Sequence, residues 1–332
     1  MSVLNVAFVG SQDLARSLAK LNDTRDIESY VNKEVIDGTT RILSLLRPLK
    51  HPERLRPLLS CLNSARCGIV EIGKVDASLG EVLVAFGAAG IEHGHLIIAP
   101  EDGGWIDEEQ VKVIQKQAGL ESWILHPSSP DPHQLKQSLF KLLDELPSRT
   151  EDPLVIPIDQ HFNVKGVGLV AIGYVQAGSI DKHDKLLALP TEDGGITRSL
   201  QVMDDDCETA IAGDRVGVAL REMREAAVER GSILVHQGDG DWSGSLIRHD
   251  KSRVEVSPAP FQNKRLEEGD VVHGAIDLQF VVGRVTSVDG DTVNLEWDAP
   301  LFIRTVSPPR LLLTQLDANM RVIGHSSSVT AL

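Results

Sequence analysis

The chain has 332 residues, with 48 Asp and Glu against 33 Lys and Arg, a net charge of −15. That length asks for two or three hydrophobic cores rather than one. The acidity excludes a generally basic nucleic-acid-binding surface, though not a local basic patch, because phosphate neutralisation needs clustered Lys and Arg.

Residues 1–148 alternate short apolar runs with stretches of helical spacing. Strands are expected at 4–9, 29–33, 41–46, 68–72, 95–98 and 123–125. Helices are expected at 14–21, 53–62, 79–89, 108–117 and 134–143, where apolar residues recur every three to four positions. Such alternation predicts a mostly parallel sheet covered on both faces. The turn Val35-Ile36-Asp37-Gly38 reads as a hairpin, which makes one edge strand antiparallel. A polar, proline-bounded linker follows at 147–153. Beyond it, Gly, Pro and Asp punctuate short runs of Val, Ile and Leu, the pattern of small β-barrels, in segments 153–238 and 243–332 with a boundary near Gly238-Asp239-Gly240-Asp241.

The amino-terminal residues carry no basic region before a long apolar run, and no stretch reaches the roughly 18 apolar residues of a membrane span. Three cysteines without disulfide spacing point the same way, to a reducing cytoplasm and no membrane. Cys61 and Cys67 read as small buried hydrophobes. His93-Gly94-His95 reads as structural, Asp204-Asp205-Asp206 as a solvated turn, and no metal site is expected. Paired catalytic carboxylates and a nucleophile elbow are both missing from the sequence.

The most specific segment runs without a gap from Pro157-Ile158-Asp159-Gln160-His161 through Lys165-Gly166-Val167-Gly168 to Ala177-Gly178, and closes on Gly213-Asp214-Arg215-Val216-Gly217 and Glu229-Arg230-Gly231. It resembles the second domain of translation elongation factors of the EF-Tu and SelB type, a β-barrel beside a GTPase domain. Weaker matches at Val254-Glu255-Val256-Ser257-Pro258, Glu268-Gly269-Asp270 and Arg321-Val322-Ile323-Gly324-His325 resemble the third domain of SelB. The resemblance implies an α/β GTPase-like domain followed by two β-barrels. The closest group is the archaeal SelB-like factors, in which the GTPase domain is degenerate. SelB proteins continue into a carboxy-terminal region that helps read an mRNA element, and that function is expected to be absent here.

The nucleotide motifs implied by the resemblance have eroded. A phosphate loop would read G-x-x-x-x-G-K-[ST], with glycine amides around the phosphates and lysine on their charge. Here Gly10-Ser11-Gln12-Asp13-Leu14-Ala15-Arg16-Ser17 keeps the first glycine and the hydroxyl, but has Ala15 for the second glycine and Arg16 for lysine. Arg47-Pro48-Leu49-Lys50-His51 stands where D-x-P-G-H would hold Mg²⁺. Only His51 matches, a vestigial counterpart of the water-orienting histidine, expected at a solvent-facing helix entry. Ala99-Pro100-Glu101-Asp102 replaces N-K-x-D, leaving Asp102 for a guanine edge, and Ser128 follows the last strand where a base-contacting loop would lie. The stretch 21–27 is too short for a full first switch. The chain therefore reads as a pseudo-GTPase. GTP or GDP with Mg²⁺ is weakly bound or not bound, with Gly10, Arg16, Ser17, Asp102 and Ser128 as the nucleotide candidates and no catalytic residue.

In the second domain the resemblance implies an aminoacyl pocket. Asp159 matches its Asp, Gln160 takes the place of an Arg or His, and Arg215 matches a separate Arg. The alternative is that Arg215 pairs with Asp214 or Asp159 on the barrel surface. The expected function is binding of aminoacyl-tRNA by a monomer, on or off the ribosome, without DNA. Two other readings stay open: a residual slow GTPase that still switches, and a translation-associated scaffold without tRNA binding.

Overall fold

The computed structural model describes residues 2–100, 103–238 and 244–332. The amino-terminal part is a seven-stranded sheet with helices on both faces. Its strands are β1 (Ser2–Val9), β2 (Lys20–Thr24), β3 (Ile27–Ile36), β4 (Thr39–Pro48), β5 (Cys67–Ile72), β6 (Gly94–Ile98) and β7 (Ile124–His126), in the order β2-β3-β4-β1-β5-β6-β7. From β4 to β7 the pairings are parallel, while β3 is antiparallel to β4 and β2 to β3. The expected hairpin is present: Ile36 pairs with Thr39, and Asp37 and Gly38 have φ of 51° and 76°, as that tight turn requires.

The helices are α1 (Gln12–Leu18), α2 (Arg56–Ser64), α3 (Ala77–Ala89), α4 (Glu108–Gln117) and α5 (Pro132–Glu145). Asp76, Asp107 and Asp131 cap α3, α4 and α5 by accepting from backbone amides of the first turn. Strand β1 shows why the sheet has two covered faces. Leu4, Val6 and Phe8 pack in one cluster with Leu14, Leu139 and Phe140 of α1 and α5. Ala7 points the other way, into a cluster with Leu58, Leu83 and Phe86 of α2 and α3. The helix expected over 14–21 is shorter and earlier, ending at Leu18, because Lys20 already begins β2 on the sheet edge.

Nine strands follow: β8 (Ile156–Val164), β9 (Gly168–Tyr174), β10 (Ser179–Asp181), β11 (Lys185–Leu189), β12 (Asp193–Val202), β13 (Asp205–Cys207), β14 (Thr209–Ile211), β15 (Arg215–Arg221) and β16 (Ile233–His236). The order β11-β16-β8-β9-β15-β12 returns to β11, so six strands close into a barrel. Val216, Val218, Leu200 and Leu234 fill it, and Gly166 and Gly178 sit at turns with φ of 84° and 77°.

The last sheet comprises β17 (Leu246–Glu255), β18 (Ser257–Pro258), β19 (Val271–Ile276), β20 (Gln279–Asp289), β21 (Thr292–Arg304), β22 (Leu311–Thr314), β23 (Val322–Ser326) and β24 (Val329–Ala331), in the order β18-β23-β22-β19-β20-β21-β17-β24. It wraps a core of Val254, Val285, Trp297 and Leu313. Of the boundary expected near Gly238, residues 239–241 lie outside the described residues.

The three sheets are tied together by side chains. Buried Arg304 forks onto Asp277 at 2.9 and 3.3 Å within the last sheet. Asn63 of α2 accepts from the Leu278 amide, and its carbonyl accepts from Gln176 beside the barrel. Among the described residues no helix is long and apolar enough to cross a membrane.

Candidate functional site

The β1–α1 connection is two residues long. Strand β1 ends at Val9 and α1 starts at Gln12, with Ser11 as N-cap accepting from the Leu14 amide at 3.2 Å. A phosphate cradle needs several successive amides in an open loop, and here the helix has advanced to within two residues of the strand. Ala15 is fully buried inside α1. Arg16 and Ser17 lie on its exposed side, and the Ser17 hydroxyl donates back to the Leu14 carbonyl at 2.7 Å.

The turn is also occupied from within. Glu71 Oε2 accepts from the Ser11 amide at 2.6 Å. Arg47 donates through Nε to the Gly10 carbonyl at 2.7 Å and through Nη1 to Glu28 at 2.8 Å. Glu28 accepts further bonds from Gln12 and from the Tyr30 hydroxyl, each at 2.8 Å. Arg47 thus bridges the Gly10 turn to a buried carboxylate.

His51 does not face solvent as expected. Its side chain is 6% exposed and lies 3.2 Å from Glu81 Oε2. Glu81 also receives Arg321 of the last sheet, through Nε at 2.9 Å and through Nη2. Burial opposes ionisation of Glu81, but the hydrogen bonds from Arg321 and His51 outweigh it and hold the carboxyl at about 2. His51 is held there because α3 and the last sheet pack over the chain entering α2. Ser128 is exposed in the loop after β7. Asp102 lies outside the described residues.

Asp159 and Gln160, neighbours in the chain, meet the remote Arg215 in a cavity of about 100 Å³ between the barrel and the segment joining β2 to β3. Asp159 and Gln160 are on β8; Arg215 opens β15. Arg215 is 10% exposed at its side chain and faces Asp23 of β2 at 3.7 Å, rather than Asp214 or Asp159 on a barrel surface. Arg230 spans the gap, with Nη1 2.5 Å from Asp26 and Nη2 3.5 Å from Asp159. Burial pushes the Asp159 carboxyl up, against the pull of Arg230 and Arg215. Three carboxylates, Asp23, Asp26 and Asp159, therefore face Arg25, Arg215 and Arg230 across the cavity. Four buried polar atoms here have no hydrogen-bond partner: Ser29 Oγ, Gln160 Oε1, Arg215 Nε and Arg230 Nε. Buried polar atoms are nearly always satisfied by protein, water or a ligand, so four unpaired atoms around one cavity make it the candidate site.

Ser29, Asp23, Asp26 and Arg230 were not singled out from sequence. Arg230 sits in the Glu229-Arg230-Gly231 segment that carries the resemblance, so its signal was available. Asp23 and Asp26 fall in the stretch 21–27, which the sequence shows only as too short for a full first switch. Elsewhere, Cys61 and Cys67 are buried free thiols, and burial pushes the Cys67 thiol up to about 12. His95 is buried with its Nδ1 3.0 Å from His126 Nε2. Among the described residues no cluster of three or more His, Cys, Asp or Glu could hold a metal.

No family model matches the chain. It is 27% identical over 326 residues to an uncharacterised protein of Methanocaldococcus jannaschii, covering 98% of this chain and 99% of that one. The selenocysteine-specific elongation factor of the same organism is 37% identical over 106 residues, 31% of this chain and only 23% of that factor. Among solved structures, elongation factor SelB from Methanococcus maripaludis with a GTP analogue superposes with a TM-score of 0.79 at 20% identity, over 98% of this chain and 79% of that one. The α/β sheet, closed barrel and third β-sheet follow one another here in the SelB arrangement. The chain therefore shares the fold of the SelB structures, and about a third of its sequence is similar to an archaeal selenocysteine-specific elongation factor.

Proposed function

We propose that the chain is a SelB-like factor homologue that binds the aminoacyl end of a charged tRNA in the Asp159–Gln160–Arg215 pocket, with GTP binding weakened or lost. The observation that carries this reading is the set of unpaired buried atoms in that cavity. An aminoacyl ester brings an ammonium group, a carbonyl oxygen and a side chain. The carboxylates and Gln160 Oε1 can accept from the ammonium, while the free Nε–H groups of Arg215 and Arg230 can donate to the carbonyl. A volume of about 100 Å³ favours small side chains. Uncharged tRNA offers none of these groups.

The nucleotide half of the proposal is supported by the two-residue β1–α1 turn and by Glu71 on the Ser11 amide. A carboxylate where phosphate oxygens would sit repels them, and the tight turn presents too few amides to replace it. The test is protection of the aminoacyl ester from spontaneous hydrolysis by the full chain, with and without GTP and Mg²⁺. Protection of charged tRNA that is indifferent to GTP is expected. Equal affinity for charged and uncharged tRNA would remove the pocket from the proposal, and protection that appears only with GTP would favour a factor that still switches.

A further inference from the structure

A second cleft, of about 320 Å³, lies where the α/β sheet, the 147–153 linker and the last sheet meet, and shares no lining residue with the aminoacyl pocket. In a chain of net charge −15 its charged lining is mostly cationic: Arg66 before β5, Arg149 in the linker, Arg304 at the end of β21 and Arg310 before β22. Two of these are committed. Arg304 is spent on Asp277. Arg310 donates one Nη1 bond to the Gly87 carbonyl at 3.0 Å, in the last turn of α3. It can lie there because Gly90 ends α3 at φ 72°, where a Cβ would stand 2.9 Å from Arg310 Nε.

Arg66 and Arg149 are different. Both are half-buried, and among the described residues neither side chain has a hydrogen-bond or ion-pair partner. Burial and then the Arg149 charge push Arg66 down; burial and then the Arg304 charge push Arg149 down, against Asp277 and Asp152. The one lining carboxylate is Glu92, which is exposed. Two half-buried guanidiniums facing the same cleft with no carboxylate in ion-pair contact are unfavourable unless an anion completes the site.

We propose that this cleft binds a phosphate-bearing anion, held by Arg66 and Arg149 with Arg310 as a third donor. Guanidinium forks match phosphate oxygens two at a time, and a doubly charged group cancels the repulsion between the arginines. Phosphate chemistry can come from a free diphosphate or from the backbone of an RNA strand. Because Arg149 is in the linker and Arg310 in the last sheet, the anion also braces the junction of three parts of the chain.

Calorimetry on the full chain at low salt tests this with two probes, inorganic pyrophosphate and a short single-stranded RNA with a 5′ hydroxyl. Binding of pyrophosphate identifies a free diphosphate, and binding of the RNA alone identifies a backbone phosphate; either supports the site. The Arg66→Gln, Arg149→Gln variant should lose at least about tenfold in affinity, and Arg66→Lys, Arg149→Lys should recover part of it. Glu92→Gln, which leaves the arginines in place and is tolerated at an exposed position, should tighten binding about threefold. No heat with either probe overturns the proposal. So does undiminished affinity in the glutamine variant, or, if that variant does not fold, the absence of tightening in Glu92→Gln.

Discussion

Glu28 and Ser29 are neighbours on β3, and each is 4% exposed, yet they face opposite faces of the strand and opposite kinds of surroundings. Glu28 points to the β1–α1 turn, where Arg47, Gln12 and Tyr30 satisfy it. Ser29 points to the cavity against the barrel, where its hydroxyl has no partner. The first region has used its own side chains to satisfy the β1–α1 turn. The second leaves four polar atoms open. A region that satisfies itself contributes stability; on the proposed reading, the other gives up stability for a ligand, the usual trade at a binding site. The contrast can therefore be broken by measuring stability and binding separately on each side.

The largest effect is expected from Glu28→Ala. It removes the acceptor of three donors at once and strands the Arg47 charge and the Tyr30 hydroxyl. Breaking a buried, hydrogen-bonded ion pair from one side costs about 3–5 kcal/mol. Urea denaturation should show a loss of that order. A loss under about 1 kcal/mol would mean that water reaches the turn and that the region is not closed.

Glu81, which binds His51 and Arg321, gives a pH test of comparable size. Its carboxyl is held at about 2 in the folded chain, below the roughly 4.3 of an unperturbed glutamate. The ionised form is thus favoured by folding. This contribution is complete above about pH 4.5 and is lost as pH falls through about 2; a shift of that size is worth about 3 kcal/mol. Glu81→Gln should lower stability at pH 7 and flatten the decline between pH 4.5 and 2 relative to the unmodified chain. Parallel stability curves for the two proteins across that window would place the coupling elsewhere.

On the pocket side, Arg215→Ala should weaken binding of charged tRNA by about 1.5–3 kcal/mol, the range for a hydrogen bond to a charged group, or about tenfold to a hundredfold. Affinity for uncharged tRNA should barely move. An unchanged preference for charged tRNA would take Arg215 out of the site.

Much of the architecture was legible before any coordinates. The apolar runs at 4–9 and 68–72 and the helical spacing at 108–117 locate β1, β5 and α4 because burial dictates their pattern. The hairpin at Asp37-Gly38 was equally plain, since only a few residue pairs suit that turn. What could not be read was the register of α1. The apolar spacing places the helix at 14–21, with Ala15 and Arg16 already inside it, but nothing in those letters says that it starts at Gln12. His51 was misplaced for a related reason: its burial comes from Glu81 and Arg321, 30 and 270 residues away in the chain order. Asp159, Gln160 and Arg215 were legible as a group only through the resemblance, and their partners Asp23, Asp26 and Ser29 belong to a different sheet, so no local pattern could pair them.

The smallest effect is the sharpest test of the contrast. Ser29→Ala removes a buried hydroxyl that makes no hydrogen bond. Burying such a group unsatisfied is itself unfavourable by about 1–3 kcal/mol, so deleting it should leave stability unchanged or raise it by up to about 1 kcal/mol. One residue along the strand, Glu28→Ala is expected to do the reverse and several times more strongly. Protection of the aminoacyl ester should meanwhile fall, because an open donor and acceptor has been taken from the cavity. Destabilisation by Ser29→Ala of about 1 kcal/mol or more would show that the hydroxyl is already satisfied without a ligand. The orphaned atoms would then no longer argue for an occupant.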